Sequence, residues 1–501
     1  MKPGIRIGLL FVAIMAVFLS FRGAQDPGLF SVPSNFPEPR YRFADNPLTT
    51  AGVELGKTLF YDAVLSSDNT VSCGSCHQQP AGFTQHGHEF SHGVDDQLTK
   101  RNSMPLFNLA WADSFGWDGG VHDLDLFAVS PITNPVEMNE SIGNVLLKLR
   151  QNPQYPALFR KAFGSEEIST DRFLKALSQF MLTMVSANSR YDRYMRSEGE
   201  ELTPVELEGM ALFKQKCAGC HSGELFTDYR FRNNGLPDLK QDDQGRFEVN
   251  QNENDKFKFK VPSLRNLSFT SPYMHDGRFR TLEEVLNHYA GSVQKTSYLA
   301  PQLLQDGLPG ITLGLAEQQK IIAFLKTLDD PDFIASQRFS ESSLATALVK
   351  KDIHTEVADF KLQSAADKRA FAELVAIYWQ VKAAIKNKQT RQAALAAGNL
   401  ATRVNALVLS QNQEPKEAFL KKYKAKISFD CEHIIEGEYS TEHQTDHFYE
   451  LSKSMFVLLA SFKAGHNKLY YFTCAGSDQN WLGNQAGERM GNCESIKTEK
   501  L

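Results

Sequence analysis

The sequence lacks a basic excess, a second membrane-length apolar run and an even number of cysteines. Lys and Arg number 54 against 59 Asp and Glu, for a formal charge of −5. A nucleic-acid surface needs clustered positive charge, so no nucleic-acid partner is expected. After Phe21 no apolar stretch is long enough to cross a bilayer. Seven cysteines cannot all pair within one chain. What is present is enough apolar material for real cores: 42% hydrophobic and 11% aromatic, which excludes global disorder. The 501 residues suit about two to four domains.

Lys2 and Arg6 precede an apolar run from Ile7 to Phe21. A positive start before an apolar stretch of that length predicts a signal peptide or an N-terminal anchor over residues 1–24. Arg22-Gly23-Ala24 is a poor small-x-small cleavage site, which keeps a membrane anchor open. Either way the rest of the chain is expected to be exported.

Two short motifs carry the chemistry: Cys73-Gly74-Ser75-Cys76-His77 and Cys217-Ala218-Gly219-Cys220-His221. Cys-x-x-Cys-His attaches c-type haem: two thioethers hold the macrocycle and the adjacent His becomes the proximal iron ligand. A disulfide, a redox cysteine pair or half of a zinc site would not call for the trailing His twice. The motifs sit in a repeat. Asn108-Leu109 precedes Trp117-Asp118-Gly119, and Asn266-Leu267 precedes His275-Asp276-Gly277, with Leu124 and Leu282 also in matching positions. The chain is therefore expected to be mainly α, with two cytochrome c-like haem domains in tandem, at 45–190 and 195–330, followed by a helical-bundle domain at 345–501.

Local patterns agree. Thr203-Pro204-Val205-Glu206 and Thr281-Leu282-Glu283-Glu284 are capping boxes, the second opening a helix that leads to Tyr289. Ser169 or Thr170 caps a helix with Phe173, Leu174, Leu177, Phe180, Met181 and Met184 on one face, and Ala316 to Leu328 is a closing amphipathic helix. The stretches Ser189 to Leu202 and Pro331 to Ser343 read as linkers.

The repeat also bears on the iron ligands. Tyr289 follows His275 by fourteen positions, and the same offset from Trp117 falls on Pro131, whose side chain has no donor atom. If Tyr289 holds the sixth position at the second iron, the first iron is open there. Glu137, six residues beyond Pro131, is then the candidate acid–base group for peroxide chemistry. A core tyrosine explains Tyr289 equally well at this level, and Met274 is a rival ligand, because thioether is a common partner of His in cytochromes.

These residues resemble the di-haem cytochrome c peroxidases, including the tyrosine-ligated, MauG-like branch typified by the methylamine-dehydrogenase maturation enzyme. The resemblance spans about residues 45 to 330. It rests on Leu59-Phe60-Tyr61-Asp62, Arg101-Asn102, Trp117-Asp118-Gly119, Asn134-Pro135-Val136-Glu137-Met138, Val261-Pro262-Ser263-Leu264-Arg265-Asn266 and Pro272-Tyr273-Met274-His275-Asp276-Gly277. It implies two covalent haems, the first peroxidatic with His77 proximal and Glu137 distal, the second for electron transfer with His221 proximal and Tyr289 opposite. Trp117 resembles the electron relay between them. Asn102, with the carbonyls of Thr270 and Pro272, resembles an inter-haem calcium site, for which oxygen ligands suit a hard cation. The family's displaceable distal His would align near Val94. His86, His88 and His92 lie nearby and could substitute for it, although they read first as solvated loop residues.

The activity implied is reduction of hydrogen peroxide in the periplasm, with a small cytochrome c or cupredoxin as electron donor. The alternatives are long-range oxidation of a protein residue and a non-catalytic electron-transfer module. Residues 345–501 resemble an exported helical domain of unknown function found with metal-efflux adaptors, through Cys474, Trp481, Met490 and Cys493. Helices are expected over Arg369–Lys386, Thr390–Leu409 and His443–Phe462, with a strand at Leu469–Phe472. Cys431, Cys474 and Cys493 allow one disulfide and one thiol, or a soft-metal site with Met490.

Overall fold

The computed structural model describes residues 26, 28–85, 89–237, 243–341, 356–362, 364–410, 414–436, 441–464, 469–474, 479–490, 493 and 496–500. The expected N-terminal segment 1–24 lies outside the described residues, as do His86 and His88. The described residues are mostly helical and fall into two units, within Met1–Val349 and Lys350–Leu501. Among them no helix is long and apolar enough to cross a membrane.

The first unit is built on the repeat. In each half the helix before the haem motif crosses a later helix at a glycine. Thr50–Phe60 meets Thr170–Leu182 at Gly56, where a Cβ would lie 1.9 Å from the Ala176 carbonyl oxygen. Pro204–Lys216 meets Leu315–Leu325 at Gly209, where a Cβ would lie 1.9 Å from the Lys320 carbonyl oxygen. Any side chain at either position would push the helices apart.

The region after each motif repeats in backbone detail. Asn108 and Asn266 are both left-handed, with φ 57° and 62°. Phe115 bridges Val121 as Tyr273 bridges Phe279. Gly119 and Gly277 share φ 66°, and Asp123 and Thr281 cap the helices Leu124–Phe127 and Leu282–Asn287. The two asparagines converge on Ser186. Asn108 Nδ2 donates to its carbonyl at 3.0 Å, and Asn266 Nδ2 donates to its Oγ at 2.9 Å.

Both expected linkers are instead structural. Ser189 caps the helix Arg190–Met195, and Asp192 on that helix forms a fully buried bidentate ion pair with Arg265 at 2.8 Å on each arm. One charge in this stretch, Asp192, faces inward to a partner 73 residues away, which composition cannot reveal. Pro331–Ile334 is a short helix, and Phe333 and Phe339 enter the core of the first half, with Phe333 against Phe83 and Phe107. Phe36, before residue 45, belongs to the same core. The first half thus draws on chain from both sides of the expected 45–190 span.

The second unit packs the helices Ala365–Lys386, Thr390–Asn405, Lys416–Glu436 and Thr441–Ser461 around one core, with a three-stranded antiparallel sheet of Tyr470–Cys474, Asn480–Gly483 and Ile496–Lys500. The helix Lys416–Glu436 was not expected. Its many lysines mask an apolar face of Leu420, Tyr423, Ile427, Cys431 and Ile434, all buried. Cys474 and Cys493 form a disulfide, Cys431 is a buried thiol, and Trp481 and Met490 are buried in the core. The soft-metal reading of these cysteines fails, because two of the sulfurs are bonded to each other.

Candidate haem and peroxide sites

In both halves the motif histidine is held by its Nδ1. His77 Nδ1 lies 2.8 Å from the Phe83 carbonyl oxygen, and His221 Nδ1 lies 3.2 Å from the carbonyl oxygens of Phe226 and Pro262. Donation from Nδ1 leaves the lone pair on Nε2, the nitrogen an axial ligand needs. Burial lowers both histidines, His221 to about 4, so each is the neutral base that binds metal. The cysteines beside them are unbridged. Burial pushes the Cys73, Cys76 and Cys217 thiols up to about 12, the opposite of a redox cysteine pair. Two sulfurs one helical turn apart and a preset imidazole fit a covalently attached haem in each half.

At the first motif, Glu137 lies close enough to Cys76 for its charge to raise that thiol. Burial raises the Glu137 carboxyl above its ordinary range, while a hydrogen bond from Asn134 Nδ2 to Oε1 at 2.6 Å pulls the other way. The loop is fixed from behind. Val94 N donates to the Glu137 carbonyl oxygen at 2.8 Å, and a Cβ on Gly93 would lie 2.6 Å from Glu137 Cα. His92 is half-buried rather than solvated, with its carbonyl oxygen 3.8 Å from Cys76 Sγ. Pro131 sits in the short helix Val129–Thr133 just before this loop.

At the second motif, the helix Leu282–Asn287 runs into a π-helical turn, His288–Ser292, that carries Tyr289. Such turns widen the helix and re-aim a side chain, and they recur at functional sites. Tyr289 is near Cys217 and Cys220, and burial pushes its phenol up to about 12 against a hydrogen bond with Asn234. Asn234 Nδ2 also lies 3.5 Å from Met274 Sδ, so both rival ligands meet one amide. Met274 has φ 77° where the first half has Gly116 at φ 80°.

Between the halves, Trp117 Nε1 donates to the Asn102 carbonyl oxygen at 2.8 Å. The Trp117 ring meets His275 edge-on at 6.4 Å, and His275 stacks on Phe259 at 3.7 Å. Arg101 pairs with Asp118 and, bidentately, with Asp243 at 2.7 and 2.8 Å. Asn102 N donates to the His275 carbonyl oxygen at 2.8 Å, and its Nδ2 to the Glu89 carbonyl oxygen at 3.0 Å. This ties Asn102 to the loop that contains Thr270 and Pro272. Among the described residues no three His, Cys, Asp or Glu side chains converge on a metal-sized site. Asn234 and Phe259 escape sequence reading because their partners are set by the loop folds. Asn134 and His275 lie inside motifs already singled out, but their contacts with Glu137, Trp117 and Phe259 appear only in the fold.

Residues 50–200 match the family described as di-haem cytochrome c peroxidase, and residues 374–467 match a family described as a protein of unknown function, DUF3347. The chain is 38% identical over 302 residues to methylamine utilization protein MauG of Methylorubrum extorquens, covering 60% of this chain and 83% of that one. It is 37% identical to cytochrome c551 peroxidase of Nitrosomonas europaea, covering 56% and 81%. A solved MauG-like protein associated with microbial copper homeostasis aligns with TM-score 0.57 and 32% identity, over 62% of this chain and 98% of that one. With its paired haem motifs in one repeat and these relatives, the chain belongs to the di-haem cytochrome c peroxidase family, and it is a peroxidase-type oxidoreductase with two haems.

Proposed function

We propose that the first half reduces hydrogen peroxide beside Cys76 and that the second half feeds it electrons. The observation that carries this is the asymmetry of the repeat: a half-buried carboxyl, Glu137, lies near the first motif, and a half-buried phenol, Tyr289, lies near the second. The haem iron, when bound, supplies the electrons that cleave the O–O bond. Glu137 does the proton work. With Oε1 held by Asn134, Oε2 takes the proton of the near peroxide oxygen and returns one to the far oxygen, which leaves as water. A carboxyl raised by burial suits both duties.

Tyr289 would hold the second iron together with His221, with Met274 as its rival. The positive charge of iron would offset the cost of ionising a buried phenol. Trp117 relays electrons between the halves, and Asn102 with the carbonyls of Thr270 and Pro272 holds calcium. The donor is a small cytochrome c or cupredoxin in the periplasm, where the protein is soluble or held by its N-terminal segment to the inner membrane. The Cys474–Cys493 disulfide supports an oxidising compartment. Long-range oxidation of a protein residue is the second reading, favoured by the 38% identity to MauG.

Steady-state peroxide turnover with reduced cytochrome c, run beside spectra of both haems, tests the proposal. Turnover that stops in Glu137→Gln with both haems retained is expected. Wild-type protein with two haems and no peroxide turnover would leave the second reading in its place.

A further inference from the structure

The second unit carries a side-chain cluster that the haem chemistry does not use. His433 lies in the last turn of the helix Lys416–Glu436, and His447 lies in the second turn of the helix Thr441–Ser461. Gln444 pins this end of the helix pair: its Nε2 donates to the Ile434 carbonyl oxygen at 2.7 Å and to the Thr390 carbonyl oxygen at 2.9 Å. The two imidazole rings meet with centroids 4.4 Å apart and planes tilted by 32°. Phe429 closes one side, edge-on to His433 at 4.2 Å and to His447 at 5.9 Å. His433 and Asp430 are buried, and His447 is half-buried.

A core needs no imidazole pair. Apolar rings would fill the same volume without removing polar nitrogens from water. What imidazole adds is a lone pair for a metal ion. The surroundings prepare that lone pair. His447 Nδ1 lies 3.4 Å from Asp430 Oδ1, and donation from Nδ1 to the carboxylate leaves Nε2 as the ligating nitrogen. Asp430 thus stands behind a ligand rather than serving as a third one. The sequence has a further His one helical turn before His447, at position 443.

The ring separation fits one shared ion. An ion about 2.1 Å from each ring nitrogen lies about 3.2 Å from each centroid, so two rings at a right angle about it would be about 4.5 Å apart. A tetrahedral ion would hold them about 5.2 Å apart. The observed 4.4 Å matches the right angle, which is the geometry of copper(II) bound by nitrogen and oxygen. We infer that His433 and His447 bind one copper(II) ion in the second unit, with Asp430 fixing the His447 ring and the remaining positions left to water or other small ligands. No cysteine takes part, so the site is distinct from the Cys474–Cys493 disulfide, and it stands independently of the peroxide reading.

The test uses the full-length, haem-loaded protein without a polyhistidine tag. It is dialysed against copper(II) with excess glycine, which strips loosely held ion, and the metal is counted by mass spectrometry. Wild-type protein should retain one copper per chain. His433→Phe, which keeps a ring in the core, and His447→Gln, at the half-buried position, should each lose it. Asp430→Asn should weaken copper binding about 10–100-fold. Zinc(II) should bind at least tenfold more weakly than copper(II), as the ordering of these ions on nitrogen ligands requires. His122→Ala, at an exposed histidine of the first unit, should keep the full equivalent. If His433→Phe does not fold, His447→Gln decides the matter. No copper retained by wild type, copper retained in His447→Gln, or an equal loss in His122→Ala would overturn the inference. Zinc bound as tightly as copper would overturn the choice of ion.

Discussion

The two halves of the first unit share a backbone frame and differ at a few side chains. Gly116 and Met274 have φ 80° and 77°, and Gly119 and Gly277 both have 66°. On that common frame the first half places Trp117 and Pro131, and the second places His275 and Tyr289. Pro131, whose side chain has no donor atom, is followed in the first half by the half-buried Glu137. The π turn His288–Ser292 carries Tyr289 in the second. One duplicated scaffold thus carries two haem motifs with different side chains beside them, and the difference rests on local choices rather than on the fold.

The largest expected effect breaks the first half alone. Glu137→Gln keeps the size of the side chain but cannot carry the proton, so peroxide turnover should fall about 10²–10⁴-fold. Haem content by alkaline pyridine spectra should stay at two per chain. A fall below twofold would remove Glu137 from the reaction. The next variant asks whether the halves are independent. Asp192→Ala leaves Arg265 charged and buried, at a cost of about 3–5 kcal/mol. Chemical denaturation should show one destabilised transition for the first unit. An unchanged midpoint would mean that the junction contributes nothing.

A smaller effect separates Trp117 from its counterpart His275. Burial lowers His275 to about 4, against about 6.5 in an unfolded chain. The unfolded state therefore binds the extra proton first, and stability should be lost as pH falls from about 6.5 to about 4. His275→Phe, which can still stack on Phe259, should flatten that slope in pH-dependent melts. An identical slope would assign the acid sensitivity elsewhere. The smallest effect concerns Met274, a side chain held in a left-handed conformation that glycine adopts at Gly116. Met274→Gly should change stability by no more than about 1 kcal/mol and leave the second haem's spectrum intact. A lost spectrum would make Met274 the ligand.

Much of this asymmetry is legible in the sequence, because motif and repeat are local. Both haem motifs, the matching Asn-to-Asp spacing and the capping boxes at Thr203 and Thr281 follow from neighbouring residues. The contacts that finish the sites are not local. Asp192 reads as part of a charged linker until Arg265 is placed against it, and Phe333 reads as linker until it meets Phe83. The π turn is also hidden, since an ordinary helix and a widened one share the same apolar spacing. In the second unit the lysines of Lys416–Glu436 conceal a buried face, and only proximity distinguishes the Cys474–Cys493 disulfide from a metal site.

The central claim is that Tyr289 caps the second iron while the first is left open beside Glu137. Near-infrared absorption of the ferric protein tests it most directly, compared across wild type, Tyr289→Phe and Met274→Ala. The prediction is no sulfur-to-iron band in wild type. Tyr289→Phe should alter the second haem's spectrum and raise its potential, because an anionic oxygen ligand favours the oxidised metal. Met274→Ala should alter neither. A sulfur-to-iron band that survives Tyr289→Phe and disappears in Met274→Ala would contradict the account and make the second haem methionine-ligated.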